Sequence, residues 1–175
     1  MDIRPLPAEA AAVRRYVADV WQPYHEDLAD AVEGHALADA ITDVEANTEW
    51  WLDHMDEDFR AWVAVAGADD ESADVSPADT DGELVGFITT SIDECPPVFG
   101  RSDWLLVGDF YVRENYRGSG LARELMEQAA TRAREADCGA LELNVDVDND
   151  RALAFYEKMG FEPRRYRMHL DIDGV

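Results

Sequence analysis

Apolar positions along this chain follow two rhythms. In Ala140–Val145, Leu141, Leu143 and Val145 alternate with Glu142 and Asn144, the period of a half-buried strand. Ile3–Leu6, ending at Pro7, Ala61–Ala66, Leu84–Ile92 and Tyr166–Ile172 also read as strands. Trp104–Val112 is almost continuously apolar, which predicts a central strand covered on both faces. Elsewhere the spacing is helical. Val13, Tyr16, Val17 and Val20 recur on one face of Ala8–Val20, and Pro23 is expected to break that helix. Asp27–Met55 holds one or two further helices, interrupted at Gly34 and at Thr42-Asp43. Leu121, Ala122, Leu125, Met126, Ala129 and Ala133 form the apolar stripe of a helix over Leu121–Ala136. Ala152, Phe155, Tyr156 and Met159 form another, with Asp148 or Asn149 as its cap and Gly160 as its stop.

The resulting order is one strand, a long helical stretch, two strands, two strand–helix pairs and a last strand. Hairpins mixed with crossover helices predict an α+β fold. The 175 residues fit one domain, with no linker and no internal repeat. Gly67–Gly82 stands apart. It carries Asp69, Asp70, Glu71, Asp74, Asp79 and Asp81, with Pro77 and no basic residue, and reads as a flexible acidic hairpin tip or insertion.

Charge narrows the partners. Fifteen basic residues, all but Lys158 arginine, face 39 acidic ones, for a net charge of −24. Such a charge argues against nucleic acid or an anionic membrane as partner. An acidic, lysine-poor surface suits a salty cytoplasm, where screening relieves self-repulsion, and salt adaptation is the expectation. Cys95 and Cys138 make no disulfide framework. The start, Met1-Asp2-Ile3-Arg4-Pro5, is not a signal peptide, and no apolar run approaches a membrane span; the expected compartment is the cytoplasm. No Cys/His cluster suggests a metal.

The chemistry concentrates at Arg117-Gly118-Ser119-Gly120-Leu121-Ala122, between the central strand and a helix. A glycine-rich turn there can aim backbone N–H groups and a helix dipole at a phosphate. It is not a nucleotide P-loop, for no Gly-Lys-Ser/Thr follows, and not the dinucleotide fingerprint, whose third glycine is replaced by Arg123.

Asp109-Phe110-Tyr111-Val112 followed by Arg117-Gly118-Ser119-Gly120-Leu121-Ala122 resembles the acyl-CoA-binding motif of the GNAT (Gcn5-related N-acetyltransferase) superfamily, Arg/Gln-x-x-Gly-x-Gly/Ala. Asn149, Ala152 and Phe155-Tyr156-Glu157-Lys158-Met159-Gly160-Phe161 are similar to that family's second motif. The resemblance implies a central mixed, mostly antiparallel sheet flanked by helices, and an enzyme using acetyl-CoA without a metal. It implies that the coenzyme's pyrophosphate lies on the N–H groups of Gly118, Ser119, Gly120, Leu121, Ala122 and Arg123, with Arg117 either contacting phosphate or holding the turn. Phe110, Tyr111 and Val112 would offer backbone groups to the pantetheine arm, between splayed fourth and fifth strands. Gly108 is a candidate for distorting the fourth strand. A strand N–H near Tyr111 would bind the developing oxyanion, Asn149 the cofactor arm, and Tyr156 would protonate the leaving thiolate.

An amine acceptor must also lose a proton. At pH 7 this costs about 4.6 kcal/mol for an ordinary alkylammonium, so a base or water chain is needed. Asp109 is the strand-borne candidate, either relaying that proton, binding a cationic substrate or pairing with an arginine. Relatives more often place their acid one residue earlier, where Gly108 stands. Glu142 and Asp146 are weaker candidates. Trp21, Tyr24, His25, Trp50, Trp51 and His54 fall in the helices where family members build the acceptor pocket; the same residues would serve as core. The acceptor is a small-molecule or protein amine. Homodimers are common in the family. The alternatives to an enzyme are a non-catalytic acyl-CoA-binding sensor and an acidic scaffold with a degenerate pocket.

Overall fold

The near-continuous apolar run becomes the fourth strand of a five-stranded sheet in the computed structural model, which describes residues 1–68 and 75–170. The strands are β1 (Asp2–Pro5), β2 (Arg60–Ala66), β3 (Glu83–Asp93), β4 (Trp104–Val112) and β5 (Ala140–Leu143), in that spatial order. Neighbours from β1 to β4 are antiparallel, and β4–β5 is parallel. The helices are α1 (Ala10–Tyr16), α2 (Gln22–Ala31), α3 (Val44–His54), α4 (Leu121–Glu135) and α5 (Asp150–Met159). The chain divides into two compact units, Met1–Asn144, which holds the whole sheet, and Val145–Val175.

Strand alternation sorts the core into two layers. Val63, Val65, Phe87 and Tyr111 pack with Val13, Tyr16, Val17, Val20, Trp21 and Trp51 from the first helices. α4 covers the other face. Its predicted stripe is buried at Leu121, Leu125, Met126, Ala129 and Ala133, and a Cβ on Gly86 would lie 3.4 Å from Leu125 Cδ1. Burial of this stripe, rather than propensity alone, holds the helix.

Pro23 does not break the first helix. The chain runs from α1 through a π-helical turn, Val17–Trp21, straight into α2, where Pro23 occupies the first turn. Proline lacks the N–H that an α-helix would direct at the Asp19 carbonyl. That oxygen instead accepts from Arg113 Nη2 at 2.5 Å. The wider π turn takes the chain past the proline, and an arginine just after β4 satisfies the carbonyl it strands.

In Val145–Val175, α5 ends in a Schellman motif, with Gly160 at φ 93° and Phe161 N–H donating to the Tyr156 carbonyl. The expected last strand is not formed over residues 166–170, where Tyr166, Met168 and Leu170 are exposed. Alternation alone does not make a strand; the backbone needs a ladder partner, and the described residues of this unit contain none. Residues 171 and 172 lie outside the described residues, as does the centre of the acidic stretch, 69–74. Its returning half is held by arginine. Arg15 donates to the carbonyls of Pro77, Thr80 and Gly82, and Arg4 to that of Val75.

Candidate active site

β4 changes partners halfway along. Its pairing with β5 covers Trp104 to Val107 and stops at Val107↔Leu143, while β4 continues to Val112. On its other side, Ile88 pairs with Phe110 and Thr90 with Val107, so Thr89 faces two residues, Gly108 and Asp109. This is a β-bulge, which bends the strand and strengthens its twist. A Cβ on Gly108 would lie 2.7 Å from Thr89 Oγ1, so any side chain there would force the Thr89 hydroxyl to move. Past the bulge, Arg113 N–H donates to the Val85 carbonyl. By alternation Tyr111 N–H also faces β3, and the backbone groups of Phe110 and Val112 face the side that β5 has left.

The bulge points Asp109 at the aromatic helix. Trp21 Nε1 donates to Asp109 Oδ2 at 3.2 Å, and His25 Nε2 stands 4.0 Å from the same oxygen. Tyr24 hydrogen-bonds the carboxylate too. Burial raises the Asp109 pKa, opposed by the Trp21 and Tyr24 hydrogen bonds and by His35. The carboxylate stays reachable, with 30% of its side chain exposed. His25 is packed edge-on against Trp21 and lies edge to edge with His35, the rings 3° from parallel and His35 Nε2 3.0 Å from His25 Nδ1. Burial, with His35 second, lowers the His25 pKa to about 4, so this imidazole is neutral at pH 7.

At the far end of β4 the glycine turn leads into α4. Gly118 and Gly120 adopt φ 76° and 100°, and Gly120 is the N-cap of α4; Leu121 N–H donates to Ser119 Oγ at 3.4 Å and Arg123 N–H to the Gly120 carbonyl at 2.9 Å. Two left-handed residues before a helix start curl successive N–H groups into one concavity. Ser119 Oγ donates to the Tyr116 carbonyl at 2.7 Å and fixes the curl. Arg117 points away from it. Its Nε donates to the Val112 carbonyl at 3.0 Å and its Nη2 to Asp27 Oδ2 at 2.7 Å. Asp27 also accepts from the Tyr111 hydroxyl at 3.2 Å. Arg117 therefore ties the turn to β4 and α2. A cleft of about 590 Å³ beside it is lined by Asp27, Tyr111, Arg113 and Tyr116 among others. Glu83 in its wall is held by Arg113 and Tyr116.

Within the second unit, Asn149 Oδ1 accepts from Ala152 N–H at 3.1 Å and caps α5. The cap uses only the amide oxygen, and an asparagine retains donors on its nitrogen. Tyr156 lies between the rings of Phe155 and Phe161, at centroid distances of 5.5 and 5.6 Å. Burial pushes its pKa to about 12, so the hydroxyl keeps its proton.

The structure brings Trp21, Tyr24 and Asp109 together, and puts Phe110, Tyr111 and Val112 on the splayed stretch. It separates Trp50 and His54, which stack on each other at 4.1 Å, Trp50 being half exposed. Trp51 is core. Sequence reasoning passed over Thr89, Asp27 and His35. Only His35 had a signal, a second histidine across the Gly34 turn from His25.

Comparison with known proteins bears on the family and the fold. Residues 35–161 match the model of the Acetyltransferase (GNAT) family. Streptothricin acetyltransferase of Streptomyces lavendulae is 36% identical over 98 residues, 54% of this chain and 47% of that protein. N-alpha-acetyltransferase 30 of Saccharomyces cerevisiae is 36% identical over 67 residues, 37% of this chain and 38% of that protein. The chain thus spans half or less of the curated relatives it matches. A tetramutant of the BH1408 protein from Bacillus halodurans shares the fold with a TM-score of 0.75 at 20% identity, covering 98% of this chain and all of that one. The aminoglycoside N-acetyltransferase AAC(6')-Iy, solved with CoA, does so with a TM-score of 0.62 at 16% identity, covering 98% and 94%. The family model covers most of the chain, and the strand, glycine turn and helix stand in the order its motif needs: the chain belongs to the Acetyltransferase (GNAT) family.

Proposed function

We propose that the chain transfers an acetyl group from acetyl-CoA to a primary amine by direct attack in a ternary complex. The observation that carries this reading is the departure of β5 from β4 at Val107, beside the Gly108 bulge, on the strand that leads into the Gly118–Gly120 concavity. An extended amide-bearing arm pairs with Phe110 and Val112 as an added strand would, and its pyrophosphate occupies the N–H concavity before α4. Arg117 holds the turn and leaves the anion to backbone donors.

In the reaction the acceptor's ammonium first gives up one proton; the amine nitrogen then bonds to the thioester carbonyl carbon, the carbon–sulfur bond breaks, and the acetylated nitrogen releases a second proton, which replaces the one given to the sulfur. One strand N–H beside Tyr111, that of Phe110 or Val112, stabilises the oxyanion, and the other is left to the arm. Asp109 holds the acceptor's ammonium. Tyr156 supplies the thiolate's proton; this role rests on its motif and on the protonated state that burial maintains. The relatives' names place streptothricin, protein N-termini and aminoglycosides among the family's acceptors. All present amines that are cationic at neutral pH, the kind of group that Asp109 attracts. Either a small molecule or a protein terminus suits the site.

Thiol release from acetyl-CoA across an amine panel tests the reading. Turnover with at least one amine is expected. CoA binding without turnover would replace it by a sensor, and no CoA binding even in molar KCl would leave only a scaffold. We also read the charge of −24 as adaptation to a salty cytoplasm; equal unfolding midpoints in dilute buffer and in molar KCl would remove that reading.

A further inference from the structure

We propose that His25 and His35 form a two-imidazole path that carries the acceptor's proton from the Asp109 site to solvent. The inference rests on the acetyltransferase reading above and adds the route of the proton.

Three distances define the path. Asp109 Oδ2 and His25 Nε2 are 4.0 Å apart, too far for a direct hydrogen bond. A single nitrogen at ordinary hydrogen-bond distance, about 2.8 Å, from both atoms fits beside the line joining them. A protonated primary amine there donates one N–H to Asp109 and another to His25. His25 Nδ1 then lies 3.0 Å from His35 Nε2, with the two rings 3° from parallel. His35 is partly exposed in the turn after α2, so its second nitrogen can exchange with water.

The proton count closes. One amine N–H bond breaks as His25 Nε2 gains a proton. His25 Nδ1 passes its proton to His35 Nε2, and His35 Nδ1 releases one to water. The amine is left neutral with its lone pair available, and one proton has reached solvent. After the product leaves, solvent returns a proton to His35 Nδ1, His35 Nε2 passes its own to His25 Nδ1, and a water in the vacated place carries the His25 Nε2 proton out to bulk, which restores the starting tautomers. The titratable groups facing the path are Asp109 from β4, Tyr16 from α1 and Tyr24 from α2. Burial keeps His25 neutral, so its lone pair is available. Trp21 Nε1 donates to the carboxylate oxygen nearest His25 and fixes the first station.

His25 is a catalytic residue in this scheme and His35 a positioning residue acting through it. The test is the pH profile of turnover with a primary alkylamine identified by the panel. His35→Ala should lower kcat about tenfold to a hundredfold at pH 7. The deficit should shrink toward none as pH approaches the amine's own pKa, where the acceptor arrives neutral. Added imidazole should restore part of the loss. His35→Gln, which can still hydrogen-bond His25 but relays nothing, should show the same pH-dependent deficit. Each variant should keep the parent's unfolding midpoint. A loss independent of pH, or no loss in either variant, overturns the path and leaves the acetyltransferase reading standing. A parent chain without turnover on any amine overturns both.

Discussion

Thr89 Oγ1 accepts the Asp109 N–H at 2.8 Å, the place a ladder carbonyl would take in an unbroken antiparallel pair. The hydroxyl closes the gap opened by the bulge, and so sets where the Asp109 carboxylate points. Thr89→Val keeps the shape and removes the acceptor, leaving a partly buried N–H without its partner. The expected cost is about 1–3 kcal/mol in urea unfolding, with turnover reduced at a CoA affinity that changes little. Thr89→Ser, which returns the oxygen, should recover most of both. Equal behaviour of the two variants would show that the hydroxyl is not the determinant.

Gly120 has open space around it, since the nearest atom to an added Cβ is Glu124 Oε1 at 3.9 Å, but its φ is 100°. An L-residue there is disfavoured by backbone strain rather than by collision. Gly120→Ala should cost about 1–2 kcal/mol in stability and weaken CoA binding about tenfold or more in a calorimetric titration, by turning N–H groups out of the concavity. Unchanged affinity would separate the turn from the phosphate.

Tyr156→Phe should lower turnover far more than it lowers CoA affinity. Because burial pushes this hydroxyl to about 12, the acid stays loaded, and the parent enzyme should show no fall in kcat from tyrosine ionisation between pH 7 and about 10. Parallel loss of turnover and affinity in the variant would assign Tyr156 to packing instead.

His25 makes the fold acid-sensitive. Its pKa is about 4 in the folded chain against 6.5 when unperturbed, so between those values the unfolded chain binds more protons. The stability contributed by the neutral ring is complete above about pH 6.5 and is lost as pH falls toward 4, up to about 3 kcal/mol. Asp109, with its raised pKa, acts in the opposite direction at the acid end. His25→Gln should therefore flatten the decline in urea midpoint between pH 6.5 and 4.5. An unchanged slope would mean that His25 is not the group responsible.

Much of this site was legible as pattern. The strand–glycine turn–helix order around Arg117–Ala122 emerged because each part has a local signature: an apolar run, glycines with positive φ, and a helical stripe. The bulge at Gly108 was legible for the same reason. The clamp of Arg117 on Asp27 was not, for it joins residues 90 apart in sequence, and no local rhythm encodes such a pairing. Pro23 misled because a proline's effect depends on who satisfies the carbonyl it strands, and that partner, Arg113, lies on another element. Tyr166, Met168 and Leu170 misled because alternation marks a residue's fitness for a sheet, not the presence of a neighbouring strand.

The fork of Arg15 has a consequence for engineering. Its contacts with the carbonyls of Pro77, Thr80 and Gly82 fix the chain before β3 begins, so the register of β3, and through it Thr89 and the bulge, is set downstream of Val75. Arg15 is therefore a residue to leave unaltered when variants of this chain are built, because losing its fork would loosen the approach to β3 by several carbonyl contacts at once.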